Sequence, residues 1–362
     1  MNNQQSTFNN ERGTLKQEQM TNDRALRTMH YGRPLRTGVI GVGHLGSLHA
    51  KMYSEISTDV LVGAYDIDTS KCRTVVSQYT GAEFFSTLDD LLANVDAVSV
   101  ATVTSQHFEV ARHALNAGVH VLIEKPITQT VAEADELIAL AKAKGCIIQV
   151  GHIERFNPAI LALESYDLRP MFIESHRLAQ FNPRGTDVAV VLDLMIHDID
   201  VILSLVRSPV SRIDANGVAV VSESVDIANA RLQFENGCVA NVTASRISQN
   251  KMRKMRMFQH NGYISIDFLQ GLAEVFRLVD DGGDMGQTTM LLGQIGEGKR
   301  KRNIVYEQPE VKEVNALKYE LESFVTAVLE KKQPAVSGID GRMALEVAQR
   351  IMKSIQVQKF TV

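Results

Sequence analysis

Two short runs of the chain carry side chains able to move a proton or hold charge. Glu124-Lys125-Pro126 follows the apolar run His120 to Ile123 and so puts a lysine at the end of a predicted strand. Open α/β sheets bind ligands outside the carboxyl ends of their strands, where a lysine can stabilise a developing alkoxide or simply remain a solvated charge. In the run Val191 to Asp200, the polar residues Asp193, His197 and Asp200 fall at i, i+4 and i+7, on one face of an otherwise apolar helix. A histidine there suits general acid–base work, because its unperturbed pKa of about 6.5 lies near operating pH. The same stripe also fits a satisfied buried network, or a metal held by His197 and two carboxylates. No further histidine of clear spacing supports a metal, and none is expected.

A third run, Gly41-Val42-Gly43-His44-Leu45-Gly46, has no reactive group, yet its spacing is that of a dinucleotide-binding turn. Gly41 serves the tight turn, Gly43 the close backbone approach to a pyrophosphate, and Gly46 the packing of helix on strand. The N-terminus of the helix that follows presents N–H groups and positive dipole to the phosphates. Asp66 stands 20 residues after Gly46 at the end of the next predicted strand. There it can accept from the adenine ribose hydroxyls and repel a 2′-phosphate, which selects NAD, or it can cap the helix after it.

These runs need elements to position them. From Leu35 onward, β-branched strands near 36–40, 60–65, 97–101, 120–123 and 147–150 alternate with helices near 47–53, 70–79, 108–117 and 131–144. Repeated βα units of this length predict a parallel sheet covered on both faces. After about Arg155 the pattern changes: Asn236-Gly237 and Asn261-Gly262 each separate two strand-like runs, the signal of hairpins with type I′ turns. Helices are predicted near 191–206, 314–331 and 342–354. The expected fold is thus α/β plus α+β, with three parts: a tail over 1–34, a Rossmann domain over 35–155, and an open, mostly antiparallel sheet domain over 156–362. The tail is polar and reads as disordered or as an arm docking on a neighbouring subunit.

Composition narrows the function classes. With 44% hydrophobic and 22% charged residues, the chain can bury two cores, and a net charge of −4 supplies no field for nucleic acid or an anionic membrane. The basic runs at 251–256 and 299–302 lack interleaved aromatics and read as solvated charges. Three cysteines without a CxxC pair, no membrane-length apolar run and no signal-peptide core fit a cytoplasmic protein.

Taken together, the glycine turn, Glu124-Lys125-Pro126 and the Asp193-x-x-x-His197-Asp198 helix resemble the Gfo/Idh/MocA oxidoreductase family over about Leu35 to Ser354. The resemblance implies a Rossmann domain followed by an open antiparallel sheet, NAD as cofactor, and oxidation or reduction of a sugar or cyclitol hydroxyl. It implies that Lys125 lies beside the nicotinamide and that His197 is the acid/base, with Asp193 orienting the site, although a desolvated lysine can itself act as base. Cofactor contacts are expected from Gly41, Gly43, His44, Leu45, Gly46 and Asp66, and further along from Thr102, His107, Glu124 and Lys125. Where the family often has Thr-Pro after the fourth strand, this chain has Thr102-Val103. Arg155-Phe156-Asn157-Pro158 looks like a segment of the branch acting on UDP-linked amino sugars. By that likeness Arg155, Asn157, Arg184 and Thr186 join Lys125, Asp193 and His197 around a nucleotide sugar oxidised at its 3-hydroxyl. Pairing with a carboxylate is the other reading of Arg155. A free sugar, a cyclitol or biliverdin as substrate, or a non-catalytic NAD-binding regulator, are the rival readings. Because an antiparallel sheet can leave one face free to cover a cofactor or pair with another subunit, a homodimer or homotetramer through the second sheet is expected.

Overall fold

The computed structural model describes residues 33–181, 188–280, 283, 290–297 and 301–357. The chain divides into two compact units, one comprising residues up to Gly151 together with Leu317–Ser337, the other His152–Ala316 with the segment from Gly338 onward.

The first unit holds six parallel strands: β1 (Leu35–Ile40), β2 (Asp59–Tyr65), β3 (Glu83–Phe84), β4 (Ala97–Val100), β5 (His120–Glu124) and β6 (Ile148–Gly151). Their order is β3-β2-β1-β4-β5-β6, so the winding reverses between β1 and β4, the place where such sheets bind dinucleotides. Strands β4 and β6 are buried along their whole length, as a sheet covered on both faces requires. The connecting helices are α1 (His44–Glu55), α2 (Thr69–Val76), α3 (Leu88–Leu92), α4 (Thr104–Asn116) and α5 (Val131–Lys144). Side chains cap three of them: Asp68 on α2, Thr87 on α3, and Thr130 with Glu133 in a capping box on α5. No side chain caps α1 or α4, the helices that follow β1 and β4. The two open N-termini therefore flank the reversal point.

Two features depart from the expected division. Arg33, placed by sequence in the tail, grips Asp96 through both carboxylate oxygens at 2.9 and 3.0 Å, beside Arg36 on the same carboxylate; residues 1–32 of the expected tail lie outside the described residues. Helix α8 (Ala316–Glu330), expected in the second domain, belongs to the first unit. Leu321, Phe324 and Val325 are fully buried against the core that contains Val39, Tyr53 and Leu122. Gln149 of β6 donates to the Glu320 carbonyl at 3.0 Å.

The second unit is a ten-stranded sheet in the order β14-β15-β13-β12-β11-β7-β10-β9-β8-β16, in which β13 is Leu272–Asp280, β14 Met290–Ile295 and β15 Arg302–Glu307. It is antiparallel except where β7 (Phe172–Leu178) pairs β10 (Val239–Ser245) and where the short β16 (Gln356–Val357) pairs β8 (Val210–Val218). Helices α7 (Ile196–Val206) and α9 (Gly338–Ser354) cover one face, and their apolar residues share a core with Ala230, Val242 and Met255 from the strands. Both expected hairpins form, with different turns. Between β9 (Ile227–Phe234) and β10, only Gly237 takes a left-handed conformation, φ 87°, and its N–H donates to the Phe234 carbonyl. That is a three-residue loop with one glycine at the bulge rather than a type I′ turn. Between β11 (Met252–Gln259) and β12 (Gly262–Asp267), Gly262 already pairs with Gln259, so His260-Asn261 make the turn.

Removing the Phe324 ring leaves a cavity in the first unit that its surroundings only partly fill. Phe324→Ala is expected to lower stability by about 3–5 kcal/mol in urea unfolding. A loss well below 1 kcal/mol would mean that α8 is not part of that core.

Candidate active site

In the first unit the three glycines do three different things. Gly41 lies at φ 85°, and a Cβ there would meet the Ala101 carbonyl at 2.9 Å. A Cβ on Gly46 would stand 1.8 Å from the Gly41 carbonyl oxygen, an overlap no relaxation removes, so only glycine lets α1 start this close to the turn. Gly43 has nothing within 4 Å of where its Cβ would be. An open backbone at Gly43, above an uncapped helix, fits the phosphates of a dinucleotide. His44 and Leu45 are exposed beside it.

Asp66 accepts the Val42 N–H at 2.6 Å and the Asp68 N–H at 2.8 Å. The carboxylate is thereby aimed at the glycine turn, while the cap of α2 is Asp68, whose Oδ1 accepts from Lys71 N. The capping role weighed for Asp66 thus belongs to its neighbour. Asp66 keeps lone pairs for ribose hydroxyls.

Among the other expected cofactor contacts, Thr102 is half-buried in the loop after β4, and Val103 is 68% exposed. His107 is 1% exposed, and its two ring nitrogens lie 2.9 Å from the Pro126 carbonyl and 3.1 Å from the Thr102 carbonyl. It joins the loop after β4 to the loop after β5, and its buried ring is occupied by these two main-chain contacts. Burial lowers its pKa. Glu124 also points inward: its Oε1 lies 2.9 Å from His49 Nε2, and its Oε2 accepts the Lys125 N–H at 3.3 Å. Lys125, half-buried at the carboxyl edge of β5, precedes Pro126 across a cis peptide bond.

In the second unit the predicted helix is two helices joined: a π-helical turn, Val191–Met195, runs into α7. Asp193 and His197 lie on either side of this junction, both half-buried. Single π turns widen the helix locally and recur at functional sites. Asp200, the third member of the stripe, is 1% exposed and receives Arg155 through Nε at 2.7 Å and a terminal nitrogen at 3.1 Å. Asp198 receives Arg177 in the same forked manner at 2.9 and 3.1 Å, and Arg177 also reaches Glu154 at 2.8 Å. Two arginine forks therefore clamp the helix within the turn that follows His197.

These clamps revise the expected substrate contacts. Arg155 braces the one-turn helix Ile153–Phe156 against α7, as its carboxylate-pairing reading had it. Asn157 accepts from Ala159 N at 3.1 Å as the cap of α6 (Pro158–Leu161), and donates to Glu154 at 3.1 Å and the Phe268 carbonyl at 3.0 Å. Phe156 is buried. The Arg155-to-Pro158 segment is a packed corner. Arg184 and Thr186 lie outside the described residues. Among the described residues no group of three or more His, Cys, Asp or Glu side chains could hold a metal ion.

Two clusters escaped the sequence reading: His49, Tyr53 and Ser99 beneath Glu124, and Arg177 with Glu154 and Asp198. A faint signal existed for the second. In Phe172–Leu178 the inward positions of the alternation are Ile173, Ser175 and Arg177, and an inward arginine demands a buried acid.

The openness at Gly43 generates a prediction. Gly43→Ala should keep its thermal midpoint and bind NAD about tenfold more weakly, roughly 1.4 kcal/mol, in a calorimetric titration. Unchanged affinity would place the phosphates elsewhere.

Comparison with known proteins bears on family and fold. The model described as "Oxidoreductase family, NAD-binding Rossmann fold" matches residues 35–152, and the Gfo/Idh/MocA C-terminal domain model matches residues 169–265. A UDP-N-acetylglucosamine 3-dehydrogenase of Acidithiobacillus ferrooxidans is 37% identical over 323 residues, 89% of this chain and 97% of the relative. A solved structure of that dehydrogenase superposes with a TM-score of 0.79 at 36% identity, covering 89% of this chain and 98% of the other. A myo-inositol 2-dehydrogenase of Thermotoga maritima is 26% identical over 351 residues, 90% of this chain and 97% of the relative. The scyllo-inositol dehydrogenase of Lactobacillus casei, solved with NAD(H) and scyllo-inositol, shares the fold at 20% identity and a TM-score of 0.71, over 89% of this chain and 97% of that one. The chain belongs to the Gfo/Idh/MocA family of NAD-binding oxidoreductases and is a dehydrogenase acting on a CH–OH group.

Proposed function

We propose that the enzyme oxidises the 3-hydroxyl of a UDP-N-acetylhexosamine. The observation that carries this reading is the 37% identity, over 97% of its length, to a relative named for that reaction. NAD, when bound, supplies the oxidising power, taking up two electrons and the hydrogen of the carbinol carbon. His197 accepts the hydroxyl proton, a task suited to an imidazole near neutral pH. Lys125 stabilises the developing alkoxide by charge and hydrogen bonding, and Asp193, one helical turn before His197, orients the site. With Arg155 and Asn157 engaged inside the protein, recognition of the nucleotide is assigned to other residues, Arg184 and Thr186 first among them. Oxidation of a cyclitol is the second reading, favoured by the myo-inositol 2-dehydrogenase relative.

The open face of the second sheet supports a homo-oligomer. Phe172, Phe258, Tyr263, Phe276 and Tyr306 stand in line across five strands, with neighbouring ring centroids 5.0 to 6.0 Å apart. An aromatic row of this length needs cover, and a second copy related by a two-fold axis can supply the same row. A cytoplasmic setting fits the three unpaired cysteines, and among the described residues no helix is long and apolar enough to cross a membrane.

Reduction of NAD should be seen with UDP-N-acetylglucosamine and be at least tenfold weaker with myo-inositol or free N-acetylglucosamine. Activity confined to the cyclitol would establish the second reading. His197→Asn and Lys125→Met should each lower kcat by about a hundredfold or more with NAD binding retained; near-normal turnover in both would remove the assigned roles. Phe276→Glu should shift the sedimentation coefficient to that of a smaller species, whereas an unchanged assembly would move the interface off this face.

A further inference from the structure

Beneath Lys125 lies a buried chain of polar groups that no step above uses. Tyr53 and His49 stand one turn apart on α1, and Ser99 lies opposite on β4, all 1% exposed or less. Tyr53 Oη lies 2.8 Å from Ser99 Oγ, Ser99 Oγ lies 3.0 Å from His49 Nδ1, and His49 Nε2 lies 2.9 Å from Glu124 Oε1. The order of protons follows from chemistry. An ionised carboxylate only accepts, so His49 Nε2–H donates to Glu124. In a neutral imidazole Nδ1 must then accept, so the Ser99 hydroxyl donates to it and itself accepts from Tyr53. Burial pushes the Tyr53 phenol far above its usual range, and it stays a donor. The far oxygen of Glu124 takes the Lys125 N–H.

Space for this arrangement is built in. Gly151 of β6 pairs with Glu124, and a Cβ there would stand 3.0 Å from the carboxyl carbon and from both oxygens. The charged and titratable groups that bear on the chain are few: Lys125 and His49 on Glu124, His107 of α4 within reach of the Glu124 charge, and Asp59 with Glu320 at the Tyr53 end. Burial works against the charge on Glu124, and His49 and Lys125 outweigh it, holding its pKa below the ordinary carboxylate value.

The helix bearing His49 begins at the glycine turn, so one side chain links the phosphate-binding end of the cleft to the residue before Lys125. We propose that His49 is a positioning residue: by donating to Glu124 it keeps that carboxylate folded beneath the Lys125 peptide, so that the glycine turn and Lys125 are held as one piece. This rests on the assignment of Lys125 above. It does not depend on the identity of the sugar.

The test is NADH binding, read by nicotinamide fluorescence without any sugar present, between about pH 5.5 and 8.5 for the wild type, His49→Leu, His49→Gln and Glu124→Gln. In His49→Leu the buried carboxyl loses its donor and its pKa rises, so it is protonated at the acid end and ionises as pH climbs. The expected dissociation constant is about tenfold weaker than wild type near pH 6 and recovers toward it by pH 8.5. His49→Gln, whose amide N–H can reach Glu124, should follow the wild-type profile, and Glu124→Gln should be weakened equally at every pH. Wild-type binding in His49→Leu overturns the proposal. So does an equal, pH-independent loss in His49→Leu and His49→Gln, which marks a packing role alone. Should His49→Leu fail to fold, Glu124→Gln decides: wild-type affinity overturns the proposal, and a uniform loss supports it. Failure of the UDP-sugar assay leaves this outcome untouched, because no sugar enters it.

Discussion

The contact between Gly46 and the Gly41 carbonyl sets the first unit. With 1.8 Å between that oxygen and any added Cβ, the first turn of α1 is pressed onto the end of β1. Every residue on α1 inherits its place from this contact. The turn is left with bare backbone at Gly43, and the buried face of α1 brings His49 and Tyr53 over β4 and β5. The open backbone at Gly43 and the setting of Lys125 thus descend from one close approach between two main chains, which only glycine permits.

In the second unit the ordering principle is electrostatic. Asp198 and Asp200, one and three residues after His197, each meet an arginine fork with their carboxylates almost fully buried. Such pairs recover little net stability, since desolvating both charges offsets their attraction, but breaking one strands the other. Their effect is on geometry: a helix held by two forks resists rotation about its axis. His197 is thereby presented by a rigid element rather than by a loop.

Local patterns made much of this legible in the sequence. The glycine spacing, the alternation of β-branched runs with helix-length segments and the Asn-Gly dipeptides are all encoded within a few residues, and they correspond to the Rossmann sheet and the hairpins. Long-range pairing was the obstacle. Strand β7 finds β10 more than sixty residues later in a parallel pairing that no hairpin signal announces. Helix α8 reads as any amphipathic helix and says nothing of which core it joins. Side-chain roles were legible only as types: Arg155, Glu124 and His107 were marked as functional, and the structure turns each inward to a partner that lies 45, 75 or 19 residues away in the chain. The partners of Asp66 at Val42 and Asp68 are closer to hand, because the β1–turn–α1–β2 unit brings the end of β2 beside the glycine turn.

The return of residues 317–337 to the first unit bears on how the protein is made. A chain that leaves its first core at Gly151 and comes back to it only at Leu317 cannot complete that core while the ribosome is still translating the second sheet. During synthesis the apolar socket that receives Phe324 must wait, half-built, until residues 317–337 emerge. Maturation of the nucleotide-binding half therefore follows synthesis of the second sheet, although most of its sequence precedes it.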